Sequence, residues 1–198
     1  MTGKLNHFRD YREEIRTALH HRLQDTDWDG QPIHFKHGPF RLSLDVHAEL
    51  LGYASHVVTR MRAAYINRDG FRFRIKRRSF VLDLATMMGM QDIEIGEETF
   101  DREFVIQANS SEEVRRLLAE VRLRETLISS PIQRVEVRDD EGWFGPEFPG
   151  EIDELYLEAD GRITEVEKIE ALFYVFADML DRLCQIGSAY EDDPKIEL

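Results

Sequence analysis

Six carboxylates crowd the twelve residues from Asp92 to Glu103: Asp92, Glu94, Glu97, Glu98, Asp101 and Glu103. Oxygen donors at that density could hold a divalent cation or share a proton for acid–base chemistry. An EF-hand calcium loop needs oxygens at positions 1, 3 and 5, a glycine at 6 and a glutamate at 12. Counted from Asp92, Gly96 falls at position 5 and Glu97 at position 6, so the spacing fails. Carboxylates that divide acid and base roles need two unlike surroundings, which come from separate elements rather than from local crowding. A structural reading competes. In "DIEI" the acids alternate with Ile93 and Ile95, the pattern of a half-buried strand with a wet acidic face.

Other chemistries leave little trace. The seven histidines, His7, His20, His21, His34, His37, His47 and His56, all lie in the first third of the chain. His34 and His37 are three apart on a predicted strand and point to opposite faces, while adjacent His20 and His21 diverge by about 100° on a helix. No H-E-x-x-H, C-x-x-C, G-x-S-x-G, Walker or G-x-G-x-x-G pattern occurs. The expectation is therefore no catalytic set, no metal site and no cofactor. "GFRFRIKRR" (70–78) echoes an RNA-binding strand, but Asp69 stands where a basic residue is required and Arg77 where an aromatic is. With a net charge of −13 the chain also repels phosphate at long range, so no nucleic-acid partner is expected.

The charge is uneven. Residues 1–90 carry a net +5 and residues 91–198 a net −18. Such a split marks either a basic surface for anions or two halves that neutralise each other. Arg72, Arg74 and Lys76 alternate with Phe71, Phe73 and Ile75, so they form one cationic face. Opposite charges across neighbouring strands contribute about 0.2–1 kcal/mol per pair. This predicts that the cationic strand and the Asp92/Glu94 strand share a sheet, with their charged faces on one side. The candidate anion- or partner-binding residues are Arg60, Arg62, Arg72 and Arg74. To these are added Trp143, Phe144 and Phe148 of the loop "GWFGPEFPG", since aromatics on an irregular loop anchor partners or cap a core. The favoured function is a non-enzymatic binding or interaction module for a protein partner or a second copy of itself. The alternative is a metal-dependent hydrolase assembled from scattered carboxylates and histidines.

The elements that must position these groups follow from periodicity. Phe8, Tyr11, Ile15, Leu19 and Leu23 predict a helix over about 7–23. "IHFKHGPFRLSLDV" predicts two strands around Gly38-Pro39. "HVVTRMRAAYI", "NRDG" and "FRFRIKR" predict a hairpin turned at Asp69-Gly70. "SFVLDLATMMGM" suits a helix or a strand, and "FVIQ", "IQRVEV" and "IDELYLEADGRI" suit strands. A helix is predicted over about 111–129, with Ser110 and Glu113 as a capping box and Pro131 as its stop. The strongest helix follows the Thr164/Glu167 capping box. Its stripe is Ile169, Leu172, Phe173, Phe176, Met179, Leu180 and Leu183, closed by Gly187. The expected class is α+β, a largely antiparallel sheet covered by helices with a long C-terminal one. One domain over 1–198 is expected, with residues 190–198 a loose tail. No signal-type segment and no run of about eighteen apolar residues occurs. A cytoplasmic protein without membrane contact is expected, with Cys184 a reduced, buried thiol.

The stretch "RFRIKRRSF…DIEIGEETFDREFVIQANSSEEVRRLL" resembles a family of uncharacterised bacterial proteins, a domain of unknown function. There a strand leads into an acidic GD-x-x-FD-x-x-F signature and then a helix with paired leucines. Gly96-Glu97, Phe100-Asp101, Phe104 and Leu117-Leu118 match it here, with Glu97 in place of the second-position Asp. The resemblance implies no activity. It implies that the acidic stretch belongs to the fold.

Overall fold

The computed structural model describes residues 28, 30–51, 54–78, 91–139, 148–190, 192 and 194–196. The predicted helix over 7–23 and the ambiguous segment 79–90 lie outside the described residues. Eight strands are found among the described residues: β1 (Ile33–His37), β2 (Phe40–Leu51), β3 (Ala54–Ile66), β4 (Phe73–Arg77), β5 (Gln91–Ile93), β6 (Phe104–Ala108), β7 (Ile132–Arg138) and β8 (Ile152–Asp160). They form one sheet in the order β1-β2-β3-β8-β7-β4-β6-β5, and every pairing is antiparallel. Four helices are described: α1 (Glu98–Glu103), α2 (Ser111–Leu117), α3 (Val121–Ser129) and α4 (Val166–Ile186).

Alternation decides the two faces. Leu42 and Leu44 of β2, Met61, Ala63 and Tyr65 of β3, and Phe73 and Ile75 of β4 project to one side. They are joined there by Ile106, Val135, Val137, Leu155 and Leu157. The helices close the same core: Phe100 of α1, Val114 and Leu117 of α2, Leu123 and Leu127 of α3, and the whole predicted stripe of α4. Gly187 ends α4 in the left-handed region at φ 87°, as a C-terminal glycine cap requires.

The expected class is corrected by this arrangement. Strand residues outnumber helical ones among the described residues, so the protein is mostly sheet with a C-terminal helix. The described helices cover one face of the sheet rather than both. All four described helices pack into the apolar face, and the other face is built differently. The predicted β3–β4 hairpin is also overturned. β3 pairs with β2 and β8, β4 pairs with β6 and β7, and the β7–β8 hairpin sits between them. The turn chemistry at 67–70 is real: Gly70 has φ +67° and the Asp69 carboxylate accepts the Phe71 N–H at 3.0 Å. It sends the chain across two strands instead of back along one. Two further boundaries differ. The single helix predicted over 111–129 breaks at Leu118–Glu120, where the Arg124 guanidinium donates to the Leu118 carbonyl. The last helix starts after Glu165, and no side chain caps it.

Candidate functional site

The acidic stretch is dismantled by its own geometry. Asp101 accepts three backbone N–H groups, from Ile95 (3.0 Å), Gly96 (2.9 Å) and Glu97 (3.0 Å). Gly96 allows this wrap because its φ is +86°. Beside Asp101, the Phe100 and Phe104 rings stack in the core with centroids 4.8 Å apart. Glu97 pairs with Arg124 at 3.1 Å and Glu103 with Arg77 at 3.5 Å. Asp92 receives a hydrogen bond from the Gln107 amide at 2.9 Å. The carboxylates thus face separate donors. Among the described residues, no three His, Cys, Asp or Glu side chains are grouped to hold a metal ion.

The sheet face away from the core carries a charged lattice. Residues paired across antiparallel strands share a face. One row runs Ser43, Arg62, Tyr156, Glu136, Arg74, Gln107, Asp92 across seven strands. The next runs Asp45, Arg60, Glu158, Arg134, Lys76. Arg60 binds Asp45 through Nε at 2.5 Å, and Arg62 reaches Asp45 at 3.2 Å and Glu154 at 3.8 Å. Arg74 pairs with Glu136, which also meets Arg138 at 2.5 Å and Arg134 at 3.6 Å. Arg134 further pairs with Glu158 at 2.5 Å, and the Tyr156 hydroxyl donates to the same carboxylate. The Arg138 guanidinium lies 3.4 Å from the centre of the Tyr156 ring. Burial by itself would raise the Glu136 carboxyl, but Arg138, Arg134 and Arg74 override it and hold it down to about 2. Burial likewise works against the Arg134 charge, and Glu136 and Glu158 reverse that effect.

On this face the predicted pairing of early cations with late anions is found for Arg74 with Glu136 and Arg62 with Glu154, while Arg60 and the closer contact of Arg62 go to Asp45, itself an early anion. Asp92 does share a side with Arg74, but β6 intervenes. The carboxylates that meet the arginines come from β2, β7 and β8. Sequence reasoning did not select Asp45, Glu136, Glu154, Tyr156 or Glu158. A signal was available, since "RVEVR" alternates charged with apolar residues at period two and "ELYLE" alternates polar residues with leucine.

Arg60, Arg62 and Arg74 stand in mid-sheet, while Arg72 stands apart from them. It lies in the β3–β4 connection, and its guanidinium donates to Asp139, just past the end of β7, and to both oxygens of Asp153, near the start of β8. Asp153 also accepts from the Asn67 amide at 2.5 Å, and burial raises its carboxyl above the ordinary range despite Asn67 and Arg72. The segment between Asp139 and Asp153 is the aromatic loop. Its neck is closed by the Phe148 N–H on the Asp139 carbonyl at 3.0 Å and by the Asn67 N–H on the Glu151 carbonyl at 2.7 Å. Phe148 is half-buried, and Trp143 and Phe144 lie outside the described residues. Structure thus brings Arg72 and Phe148 to one end of the sheet and leaves Arg60, Arg62 and Arg74 elsewhere.

Fold and site together define a protein built on one antiparallel sheet, with helices on its apolar face and an internally paired charged face. No family model matches the chain, and no curated protein matches it. Among solved structures, one similar chain is described as the mycobacterial trehalose monomycolate transport factor A, TtfA. The similarity covers 85% of this chain and 95% of that one, at 10% identity and a TM-score of 0.44. No described helix is long and apolar enough to cross a membrane.

Proposed function

We propose that this chain is a non-catalytic interaction module. It contacts a protein partner, or a second copy of itself, through the loop end of the sheet: Arg72 with Trp143, Phe144 and Phe148. The supporting observation is the division of labour among the arginines. Arg60, Arg62 and Arg74 are spent on carboxylates of their own chain, with side chains only 19%, 12% and 20% exposed. Arg72 is 33% exposed, and its two carboxylate partners orient it at the neck of a loop rich in aromatics. Arginine and aromatic side chains together are the composition that dominates binding energy in protein interfaces. The same reading puts the chain in the cytoplasm, a compartment that suits the single thiol of Cys184.

The test is cross-linking in a native extract. Wild type is compared with Trp143→Ser/Phe144→Ser/Phe148→Ala and with a control, Glu112→Gln/Glu125→Gln, on the helical layer. A partner or dimer lost only in the loop variant supports the module. Equal cross-linking by all three chains overturns it. A rise of several degrees in melting temperature with micromolar Mg²⁺, Mn²⁺ or Zn²⁺ over EDTA would favour the hydrolase instead, because a ligand of the folded state stabilises by mass action.

A further inference from the structure

Two buried oxygens at one end of the sheet are left over by its hydrogen bonding. Tyr65 of β3 stands directly opposite Asp153 of β8, and the pair shares the parity of the core residues Ala63 and Leu155. Tyr65 is 0% exposed, and Asn67, just past the end of β3, is 4% exposed. The Asn67 amide nitrogen donates to Asp153 at 2.5 Å and to the Phe71 carbonyl at 3.0 Å. Two acceptors thus fix the orientation of the amide and leave its Oδ1 outstanding. Neither that oxygen nor the Tyr65 hydroxyl has a hydrogen-bond partner among the described residues. Buried polar atoms are normally paired, so two orphans beside one carboxylate call for a ligand.

Charge sets the sign of that ligand. Asp153 is 4% exposed, and Arg72, which contacts it at 3.2 Å and 3.4 Å, also donates to the exposed Asp139. Burial keeps the Asp153 carboxyl above its ordinary range in spite of Asn67 and Arg72, so its charge is under-compensated. Asp69 adds a second negative charge, held by the Ser188 hydroxyl at 2.6 Å and the Phe71 N–H at 3.0 Å. The Tyr65 phenol is kept from ionising by burial first, then by Asp153 and Asp69, each of which outweighs Arg72 there. The field at the orphaned atoms is negative, and both atoms offer lone pairs.

We propose that Tyr65 Oη and Asn67 Oδ1, beside the Asp153 carboxylate, form a site for one small monovalent cation of the potassium or ammonium class. Two carboxylates exclude an anion. A divalent ion calls for more carboxylate oxygens, and among the described residues no three His, Cys, Asp or Glu side chains are grouped to supply them. Potassium and ammonium are weakly hydrated, so they enter a buried site of mostly neutral oxygens at less cost than sodium. A water molecule would meet both orphaned atoms but would leave Asp153 short of positive charge. The cation ties the end of β3 to the start of β8 from the core side. The site needs no partner protein and does not depend on the interaction surface described above.

The experiment is a set of thermal melts of the full chain at fixed pH and ionic strength. Potassium chloride and ammonium chloride are compared with tetramethylammonium chloride, whose cation is too large for a buried site. At about ten times its dissociation constant the bound cation raises the melting temperature by about 3–6 °C, and the rise saturates with concentration. Tyr65→Phe removes only the hydroxyl and loses most of the rise, whereas Glu112→Gln/Glu125→Gln, on the helical layer, keeps it. Equal melting in all three salts overturns the site, and a bridging water gives that result. A rise of unchanged size in Tyr65→Phe overturns it as well. Crystals grown with thallium(I) acetate, a heavy ion of potassium's charge and size, decide the matter if Tyr65→Phe does not fold. An anomalous peak between Tyr65 and Asn67 supports the site, and a peak elsewhere or none overturns it.

Discussion

Replacing Glu136 with glutamine changes one atom of the charged face and leaves three cations facing each other. Glu136 is 0% exposed, and Arg74, Arg134 and Arg138 converge on it. Its carboxyl is held down to about 2 against an ordinary 4.5. A displacement of that size corresponds to about 3 kcal/mol of preference for the ionised form in the folded state. Stripping one partner from a buried charge cluster costs about 3–5 kcal/mol, so two routes agree. In a chain of this length each kcal/mol moves the melting temperature by about 2–4 °C, so Glu136→Gln should melt about 10 °C lower at pH 7. The pH dependence is sharper still. A depressed carboxyl stabilises above its unfolded value and loses that contribution as pH falls from about 4.5 toward 2. Denaturant titrations of both chains at pH 7, 4 and 2.5 provide the assay. The gap between them should shrink as pH falls, because the wild type loses what the variant never had. A gap below about 1 kcal/mol at pH 7 would refute the claim that the arginines are held by Glu136. A gap independent of pH would do the same.

Three further outcomes follow from local geometry. Gly30→Ala should destabilise by about 2 kcal/mol or more, measured by denaturant titration, because φ is +94° and the new Cβ would meet the Val46 Cβ at 2.8 Å. Asp101→Ala should cost about 2–3 kcal/mol and speed hydrogen exchange at Ile95, Gly96 and Glu97, since three N–H groups lose one charged acceptor. Arg77→Met should destabilise by about 2 kcal/mol and fray the C-terminal turn of α3, visible as lost amide protection at Ser130. That guanidinium donates to the Leu127, Ile128, Ser130 and Ile132 carbonyls and lies over the Phe104 ring at 4.7 Å.

Local pattern was enough for much of the framework. The stripe of α4 from Ile169 to Leu183 is buried throughout, and the alternation from Phe71 to Lys76 divides core from charged face as read. Ser110 accepts the Glu113 N–H as its spacing implied, although the helix it starts stops at Leu117. These features depend on periods of 3.6 and 2, which neighbouring residues carry among themselves.

What the chain could not announce was which strands would meet. Asp69-Gly70 makes the same tight turn whether the next strand pairs with the last or crosses two others, so the β3–β4 hairpin was a fair reading of local chemistry and a wrong reading of topology. The partners of the arginines shared that fate. Arg74 and Glu136 are 62 residues apart, and Arg72 and Asp153 are 81 apart. Alternation put Arg72, Arg74 and Glu136 on a polar face, whereas Asp153 shares the parity of Leu155 and Leu157. Only the register of β7 and β8, set by burial of Val135, Val137, Leu155 and Leu157 on the other side, decided that the faces would lock together. Periodicity is a property of neighbours in the chain and is legible there. Charge pairing across a sheet depends on strand order, and strand order exists only once the whole core has assembled.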